Sequence, residues 1–321
     1  MTKPYIYITR KIPEELIVAY QDRYTINMWP HEQKPVEQET LALEAQKADA
    51  LLTMLSDKID MDVLNDAENL KIIANLAVGY DNINLEDTKR KEITVTNTPD
   101  VLTETTADLT FALLLSTARR IVEASDFIKN GKWQNWSPFL LAGSDAYNKT
   151  IGIVGMGRIG EAVARRAKGF GMNIIYHNRT RKGQAEEELN ASYVSFDTLL
   201  AESDFVVCLA PLTPETRGMF NEQAFRKMKQ SAIFINASRG QNVDEDALYD
   251  ALVNGEIKGA GLDVFAKEPI GKEHPLLKLD QVVCLPHIGS SSTDTRSTMI
   301  DLCLNNIDLV LSGRKPHTPV L

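Results

Sequence analysis

A short apolar run that leads directly into a glycine-rich turn constrains this chain more than any other feature. The run is Thr150–Val154, and residues 155–160 then read Gly-Met-Gly-Arg-Ile-Gly. Residues 158–171 follow with the apolar spacing of a helix. A glycine pattern alone is weak, because glycine pairs recur in turns by chance. A buried strand before it and a helix after it, however, are the context of a dinucleotide-binding βαβ unit.

Each glycine of this segment, which we call the glycine turn (residues 155–160), has a physical task at a pyrophosphate. Gly155 permits the tight turn, Gly157 lets backbone N–H groups approach, and Gly160 lets the helix pack on the strand. The helix N-terminus also favours negative charge. We therefore predict these cofactor contacts: Gly155, Gly157, Arg158, Ile159 and Gly160. A purely structural turn is the alternative.

The length and the patterning predict an α/β protein. At 321 residues the chain exceeds the size at which single cores usually stop growing, so two domains are expected, with one large domain as the alternative. Short apolar runs alternate with amphipathic stretches, which is typical of βαβ units. The predicted strands are residues 5–9, 50–54, 71–75 and 93–96, then a second series at 150–154, 173–177, 205–209, 232–236, 261–264 and 281–285. We expect the second series to form one doubly wound sheet.

Two helices and one loop organise the rest of the chain. Residues 103–121 open with a capping pattern and carry an apolar stripe, which predicts a long helix connecting two bodies. Residues 130–148 contain glycines, a proline, Trp133 and Trp136, and are expected to form a loop with aromatic anchors. Residues 292–312 predict a final helix, which we expect to pack back on the first domain.

Charge and cysteine usage exclude several classes of function. The chain has 35 basic and 44 acidic residues, a net charge of -9, which is the wrong sign for binding nucleic acid or an anionic membrane. Cys208, Cys284 and Cys303 lie far apart in apolar runs, which predicts buried reduced thiols rather than a metal site. No stretch has the apolar length that crosses a bilayer, and no leader pattern opens the chain. We expect a cytoplasmic protein.

The segment after the next strand bears on the choice of dinucleotide. An NAD-preferring site would place an acidic residue here, about 18 residues after Gly160, to bind the ribose 2′-hydroxyl. Residues 177–182 hold no acid but several basic and hydroxyl groups, which suit a 2′-phosphate. We therefore predict NADP(H), with NAD(H) as the open alternative, and contacts from Asn178, Arg179, Thr180 and Arg181. A solvated basic turn is the competing interpretation.

Three reactive side chains, Arg239, Glu268 and His287, follow predicted strands, where open α/β sheets bind their ligands. Individually they have ordinary explanations: a surface charge, a loop acid and a hydrogen-bonded histidine. Together with a dinucleotide they suit reduction of a 2-keto acid. Arg239 would hold the carboxylate and polarise the carbonyl, and His287 would protonate the nascent alkoxide. Glu268 would orient His287 and favour its protonated form.

These motifs resemble the D-isomer-specific 2-hydroxyacid dehydrogenase family along the whole chain. The segments that carry the resemblance, in the family's order and spacing, are residues 155–160, 236–240, 261–264, 268–269 and 286–290. The resemblance implies two Rossmann-like domains. A doubly wound dinucleotide-binding domain, residues 100–287, would be inserted in a smaller flavodoxin-like substrate domain, residues 1–99 and 288–321.

The same resemblance implies the roles of individual residues. Arg239, Glu268 and His287 look like the family's catalytic residues. Implied substrate contacts are Leu55, Val78, Gly79, Arg239, His287 and Ser290, with the backbone amides of Val78 and Gly79 receiving the carboxylate. Implied cofactor contacts beyond the glycine turn are Thr106, Pro211, Ala237 and Asp263, with Asp263 near the nicotinamide end. Packing at a strand end is the alternative for Pro211 and Ala237.

Residues 98–107 and 129–138 are similar to the glyoxylate and hydroxypyruvate reductase branch of the family. In that branch the tryptophan loop reaches toward the partner subunit of a dimer. Phe139 and Leu140 depart from the branch, which has a further tryptophan there. The resemblance implies a homodimer that reduces small 2-keto acids, glyoxylate or hydroxypyruvate, with hydride from C4 of the nicotinamide of NAD(P)H.

Other functions stay open on the sequence. One is a 2-ketogluconate reductase or another D-2-hydroxyacid dehydrogenase, because pocket lining sets such choices. Phosphoglycerate dehydrogenase is less expected, since many members of that kind add a C-terminal regulatory domain and this chain ends at Leu321. The fold also serves as a dinucleotide-sensing corepressor that works by binding proteins, although the three intact reactive residues favour an enzyme.

Overall fold

The computed structural model describes residues 2–320, whose contacts divide the chain into two α/β units. The first unit holds residues 2–102 and 292–320, and the second holds residues 103–291. The predicted fold class is confirmed, because each unit is built on a parallel sheet and the second is inserted in the first. The divisions fall at 102/103 and 291/292, where the sequence predicted 99/100 and 287/288.

Strand bounds follow the apolar runs closely. In chain order the strands are β1 (Tyr5–Ile8), β2 (Thr25–Met28), β3 (Ala50–Thr53), β4 (Ile72–Asn75), β5 (Thr94–Thr96), β6 (Thr150–Val154), β7 (Asn173–His177), β8 (Ala191–Tyr193), β9 (Phe205–Cys208), β10 (Ile233–Asn236), β11 (Gly259–Leu262) and β12 (Val282–Cys284). The prediction missed β2 and β8. The first carries polar, exposed positions and the second has only three residues, so neither shows a clear apolar period.

Helices connect these strands in both units. In chain order they are α1 (Val18–Gln21), α2 (Gln38–Ala45), α3 (Met61–Leu64), α4 (Leu85–Arg90), α5 (Thr103–Ala118), α6 (Ile121–Lys129), α7 (Arg158–Gly169), α8 (Gly183–Leu189), α9 (Phe196–Glu202), α10 (Glu222–Lys227), α11 (Glu245–Val253) and α12 (Thr293–Leu311). Single 3₁₀ turns lie at Glu14–Leu16, Gly240–Asn242 and Pro275–Lys278. Within residues 2–320, no helix combines the length and apolar character needed to span a membrane.

The first unit has the strand order β2-β1-β3-β4-β5, all parallel, as in the flavodoxin-like fold. Strands β3 and β4 are buried at every position, which explains why apolar residues fill all but the last position of each. Helix α12 packs on these two strands and buries Met299, Cys303 and Ile307. The predicted final helix and its packing on the first domain are therefore confirmed.

The second unit has the order β12-β11-β10-β9-β6-β7-β8, again all parallel. The chain leaves β6 toward one edge and returns to β9 to continue toward the other, so a topological switch point lies between β6 and β9. Open sheets of this kind bind ligands at that point, outside the carboxyl ends of the strands. Every predicted site residue of this unit except Thr106 follows the carboxyl end of a strand.

The predicted connector helix, residues 103–121, was wrong in two respects. Helix α5 ends at Ala118, because Arg120 adopts a left-handed φ of 53° and a separate helix, α6, begins at Ile121. Helix α5 also belongs to the second unit, where it packs on α7, β10 and β11. A Cβ atom at Gly261 would lie 2.8 Å from Leu113 Cγ, so glycine in β11 is what allows this close packing.

Candidate active site

The glycine turn joins β6 to α7 at the switch point. Gly155 has a φ of 103°, and a Cβ atom there would lie 2.4 Å from the backbone nitrogen of Ala210. A Cβ atom at Gly160 would lie 2.3 Å from the carbonyl oxygen of Gly155, whereas one at Gly157 would meet nothing within 4 Å. Two glycines therefore serve close packing, and the third leaves open space at the N-terminus of α7. No described side chain caps that terminus, which suits an anion.

The predicted 2′-phosphate contacts have different surroundings. Asn178 is tied to the glycine turn: its Oδ1 accepts from the Met156 N–H at 2.6 Å and its Nδ2 donates to the Met156 carbonyl at 3.2 Å. The guanidinium of Arg181 pairs with Glu186 through Nη2–Oε2 at 2.6 Å and Nε–Oε1 at 3.0 Å. Arg179 and Thr180 are exposed. The structure thus holds Asn178 and Arg181 with protein partners and presents Arg179 and Thr180 to solvent.

The ion pair between Arg181 and Glu186 is part of a small network that includes Tyr176 of β7. Glu186 also accepts a hydrogen bond from the Tyr176 hydroxyl at 2.6 Å. The hydrogen bonds from Arg181 and Tyr176 lower the pKa of Glu186 to about 2. A phosphate that recruited Arg181 would compete with this carboxylate, a restriction that the basic sequence of residues 177–182 does not reveal.

Asp263 and Thr106 meet at the loop that carries the histidine. Asp263 is buried, with 1% of its surface exposed, and its Oδ1 accepts from the Ile288 N–H at 2.8 Å. Burial raises the pKa of this carboxyl. A Cβ atom at Gly289 would lie 3.2 Å from Asp263 Oδ2 and 3.3 Å from Thr106 Cγ2. Asp263 therefore holds the chain that leads out of His287, Thr106 lies beside Gly289, and the partly exposed Ser290 follows directly.

Pro211 and Ala237 follow two neighbouring strands, β9 at the switch point and β10 beside it. Pro211 comes after β9 and is exposed, and its carbonyl accepts from the Thr216 hydroxyl at 2.7 Å. Ala237 comes after β10 and is partly exposed. Both residues lie at the sheet edge that carries the glycine turn, where open α/β sheets bind their ligands.

Arg239 owes its position to the glycine that follows it. A Cβ atom at Gly240 would lie 1.8 Å from the carbonyl carbon of Phe265, so only glycine permits this approach of two backbones. The buried Asn236 donates from Nδ2 to the Arg239 carbonyl at 3.0 Å and fixes the turn out of β10. The segment of Arg239 thus packs on the loop that leads to Glu268.

Glu268 and His287 form a direct pair. His287 Nδ1 lies 2.7 Å from Glu268 Oε2, and Glu268 Oε1 accepts from the Phe265 N–H at 2.9 Å. Burial alone would raise the pKa of Glu268, but the hydrogen bond and charge of His287, with a contribution from Arg239, hold it below its usual range. With Nδ1 engaged, Nε2 is the ring nitrogen of His287 available to a substrate. The structure therefore brings together the three residues expected to be catalytic.

Two further residues hold this loop and were missed by the sequence analysis. Glu245 Oε1, in the first turn of α11, accepts from the Ala266 N–H at 2.8 Å. Gln241 donates from Nε2 to the Ala266 carbonyl at 3.0 Å. Both the N–H and the carbonyl group of Ala266 are thereby fixed, two residues before Glu268. The partner of a polar residue in the first turn of a helix cannot be predicted from the sequence when that partner lies far along the chain.

The predicted substrate contacts of the first unit lie in the loops after β3 and β4. Leu55 is partly exposed in a turn closed by Asp57, whose Oδ2 accepts from the Met54 N–H at 2.8 Å. Arg10 forms an ion pair with Asp57 at 3.3 Å. Val78 and Gly79 follow β4, where Val78 is 36% exposed.

The tryptophan loop, residues 130–148, contains neither helix nor strand, as predicted. Its aromatic side chains are not anchored in their own unit: Trp133 is 57% exposed, Trp136 74% and Phe139 86%. The three cysteines are unpaired thiols, and Cys208 and Cys303 are buried. Among residues 2–320, no group of histidine, cysteine or acidic side chains has a metal-binding arrangement.

Comparisons with known proteins agree with this geometry. The family model described as "D-isomer specific 2-hydroxyacid dehydrogenase, NAD binding domain" matches residues 111–289. The glyoxylate reductase of Pyrococcus horikoshii is 49% identical over 99% of this chain and 96% of its own length. The solved TT0316 protein of Thermus thermophilus has a TM-score of 0.93 at 42% identity, covering 99% of this chain and 100% of that one. An NADPH-dependent glyoxylate/hydroxypyruvate reductase from Sinorhizobium meliloti, solved with NADP and malonate, has a TM-score of 0.88 at 32% identity, covering 99% and 97%.

Proposed function

The chain belongs to the D-isomer-specific 2-hydroxyacid dehydrogenase family, and from this premise we propose that it reduces glyoxylate and hydroxypyruvate with NADPH in preference to NADH. It is an oxidoreductase of the 2-keto acid and 2-hydroxy acid pair. The observation that carries the proposal is the Glu268–His287 pair at 2.7 Å, on the same sheet edge as Arg239 and the glycine turn.

The glycine turn fits a nicotinamide dinucleotide. The open space at Gly157 and the uncapped start of α7 suit the pyrophosphate, and Gly155 keeps the turn tight enough to place it there. Once bound, the nicotinamide supplies hydride from its C4 to the substrate carbonyl carbon. We assign Thr106, Pro211, Ala237 and Asp263 as its further contacts.

Three side chains perform the remaining chemistry in this proposal. The guanidinium of Arg239 binds the carboxylate and polarises the carbonyl of the keto acid. Protonated His287 gives the proton on Nε2 to the carbonyl oxygen as negative charge develops there. Glu268 holds Nδ1–H, which fixes the ring orientation and stabilises the imidazolium before the transfer.

Support for NADPH comes from the end of β7. No acidic side chain occupies the sequence position that would bind a ribose 2′-hydroxyl, and we propose that Arg179 and Thr180, which are exposed directly after β7, bind a 2′-phosphate. Asn178 shapes the glycine turn, and Arg181 contributes only when it exchanges Glu186 for the phosphate. The Sinorhizobium meliloti relative was solved with NADP.

Steady-state kinetics test the proposal. We expect turnover of glyoxylate and hydroxypyruvate above that of 2-ketogluconate, with kcat/KM about tenfold higher for NADPH than for NADH. Arg179→Ala should lower kcat/KM for NADPH and leave that for NADH unchanged, while exposed Arg217→Ala serves as the matched control. Better use of NADH would overturn the cofactor preference. No turnover of any keto acid would favour a dinucleotide-sensing binding protein instead.

Assembly and compartment complete the proposal. The exposed aromatic side chains of the tryptophan loop suit a partner subunit, so we propose a homodimer. Three thiols without disulfides suit a reducing cytoplasm. Leu55, Val78, Gly79 and Ser290 are proposed substrate contacts, in addition to Arg239 and His287.

A further inference from the structure

Three successive carbonyl groups in the loop after β4 are tied to the end of the first sheet. The Ala77 carbonyl accepts from the Thr98 N–H at 2.9 Å. The Val78 carbonyl accepts from Asn97 Nδ2 at 2.8 Å, and the Gly79 carbonyl accepts from Asn75 Nδ2 at 3.0 Å. Two of these three donors are asparagine side chains, at the end of β4 and immediately after β5.

This arrangement determines where the N–H groups of the loop point. In a planar trans peptide the carbonyl and the N–H of the next residue face opposite ways. Because the carbonyls of residues 77, 78 and 79 face the sheet end, the N–H groups of Val78, Gly79 and Tyr80 face away from it. None of these three N–H groups donates to another residue within 2–320, and Val78 and Tyr80 are 36% and 40% exposed.

We propose that Asn97 and Asn75 are positioning residues that aim the N–H groups of Gly79 and Tyr80 at the substrate carboxylate. The Val78 N–H, which the Thr98 backbone orients, and the Tyr80 N–H as a third donor complete the set. The inference rests on the proposed function, which supplies a carboxylate as the ligand. Successive N–H groups with a common direction form an anion-binding concavity. Without the asparagine donors, the peptide groups of Val78–Gly79 and Gly79–Tyr80 can rotate and form hydrogen bonds with water instead, so their orientation is lost before the substrate binds.

The two asparagines differ in how safely they can be changed. Asn75 is fully buried, and its Oδ1 also accepts from the Thr53 hydroxyl at 3.1 Å, so its substitution disturbs the core. Asn97 is partly exposed, and its backbone is fixed by Thr318, whose hydroxyl donates to the Asn97 carbonyl at 2.7 Å. A change of the Asn97 side chain therefore leaves the backbone in place and removes one donor.

The decisive experiment compares Asn97→Ala and Asn97→Asp with wild type. We expect Asn97→Ala to raise KM for glyoxylate by about three- to tenfold, the loss of one hydrogen bond. Asn97→Asp should raise KM further, because a carboxylate cannot donate to the Val78 carbonyl and adds negative charge near an anion site. The inhibition constant of oxamate, an unreactive carboxylate, should rise in parallel, while kcat and the dissociation constant for NADPH stay within about twofold.

Asn27→Asp is the matched control, since Asn27 lies on β2 at the opposite edge of the same sheet. Its KM and oxamate constant should equal those of wild type. Unchanged KM and oxamate constants in Asn97→Ala would overturn the inference while leaving the proposed function intact, and so would a loss confined to kcat. If wild type reduces no keto acid, the proposed function fails instead, and calorimetric binding of oxamate to wild type and Asn97→Ala still decides the inference. If Asn97→Asp does not fold, the alanine variant decides.

Discussion

At the scale of single residues, both the ring and the backbone of His287 are held in place. Nδ1 is held by Glu268 at 2.7 Å, and the backbone of His287 adopts a left-handed φ of 55°. A non-glycine residue in that region is uncommon and recurs at functional sites. The Ile288 N–H bond to Asp263 directly after His287 helps to maintain the conformation. The orientation of the His287 ring is therefore set by Glu268 at the side chain and by Asp263 at the backbone.

We expect His287→Ala to lower kcat for glyoxylate about a thousandfold, because the proton donor is lost. Arg239→Ala should lower kcat and also raise KM, since the guanidinium binds the carboxylate in ground and transition states. Exposed His317→Ala is the matched control and should behave as wild type. Stopped-flow and steady-state assays with NADPH measure both constants. Near-normal rates in both site variants would contradict the assignment of the catalytic residues.

The pKa of Glu268 leads to a prediction about pH. It is lowered in the folded state, so the carboxylate stabilises the fold above the pKa of an unfolded glutamate, and this contribution disappears as the pH falls through the folded pKa. The difference in melting temperature between wild type and Glu268→Gln should therefore shrink as the pH is lowered from about 6 to about 3. Circular dichroism melts, with exposed Glu273→Gln as control, check this. A difference in melting temperature that grows as the pH falls would contradict a lowered pKa of Glu268.

At the scale of elements, two backbone contacts of glycine shape the site. Gly240 permits the turn after β10 to pack on Phe265, and Gly155 permits the turn after β6 to pack on Ala210. Each contact is possible because glycine carries no Cβ atom. Each contact joins the ends of two neighbouring strands, β10 with β11 and β6 with β9.

We predict that Gly240→Ala destabilises the protein by about 3 kcal/mol, because a Cβ atom 1.8 Å from the Phe265 carbonyl carbon forces the backbones apart. Gly183→Ala is the matched control: nothing lies within 4 Å of its Cβ position at the start of α8, and alanine favours helix. Urea denaturation followed by circular dichroism compares the two variants. Equal midpoints would contradict the close-approach argument.

Elements with a strong apolar period could be predicted from the sequence, and the others could not. The buried strands β3, β4, β6 and β9 have mostly apolar sequences, with a polar residue only at an end of the strand. Strand β11 was predicted two residues late, because Gly-Ala-Gly lacks the branched residues of a typical strand. The break between α5 and α6 depends on one left-handed residue, Arg120, which propensity does not disclose.

At the scale of the whole molecule, the tryptophan loop carries several strongly exposed aromatic side chains, among them Trp133, Trp136, Phe139 and Tyr147. Trp136 and Phe139 are 74% and 86% exposed. Large aromatic side chains rarely remain so open unless they bind a partner. The proposed homodimer would bury them.

The double variant Trp136→Ser, Phe139→Ser should therefore dissociate. We expect wild type to sediment as a dimer and the variant near the chain mass of 35.8 kDa. Leu43→Ser, at a 55% exposed position on α2, is the control and should leave the assembly intact. Analytical ultracentrifugation at several concentrations separates these outcomes. A variant that stays dimeric at micromolar concentration would show that this loop is not the interface.

The sequence by itself determined the α/β class and the family, and it predicted the glycine turn as a dinucleotide site and Arg239, Glu268 and His287 as the reactive residues, because apolar period and motif spacing are local properties of the chain. Only the tertiary structure decided which polar groups are already engaged. It ties Arg181 to Glu186 and Asn178 to Met156, and it directs Glu245 to Ala266 and Asn97 to Val78. Hydrogen-bond partners far apart in sequence follow from how strand ends meet at a sheet edge, and a linear pattern holds no information about that meeting.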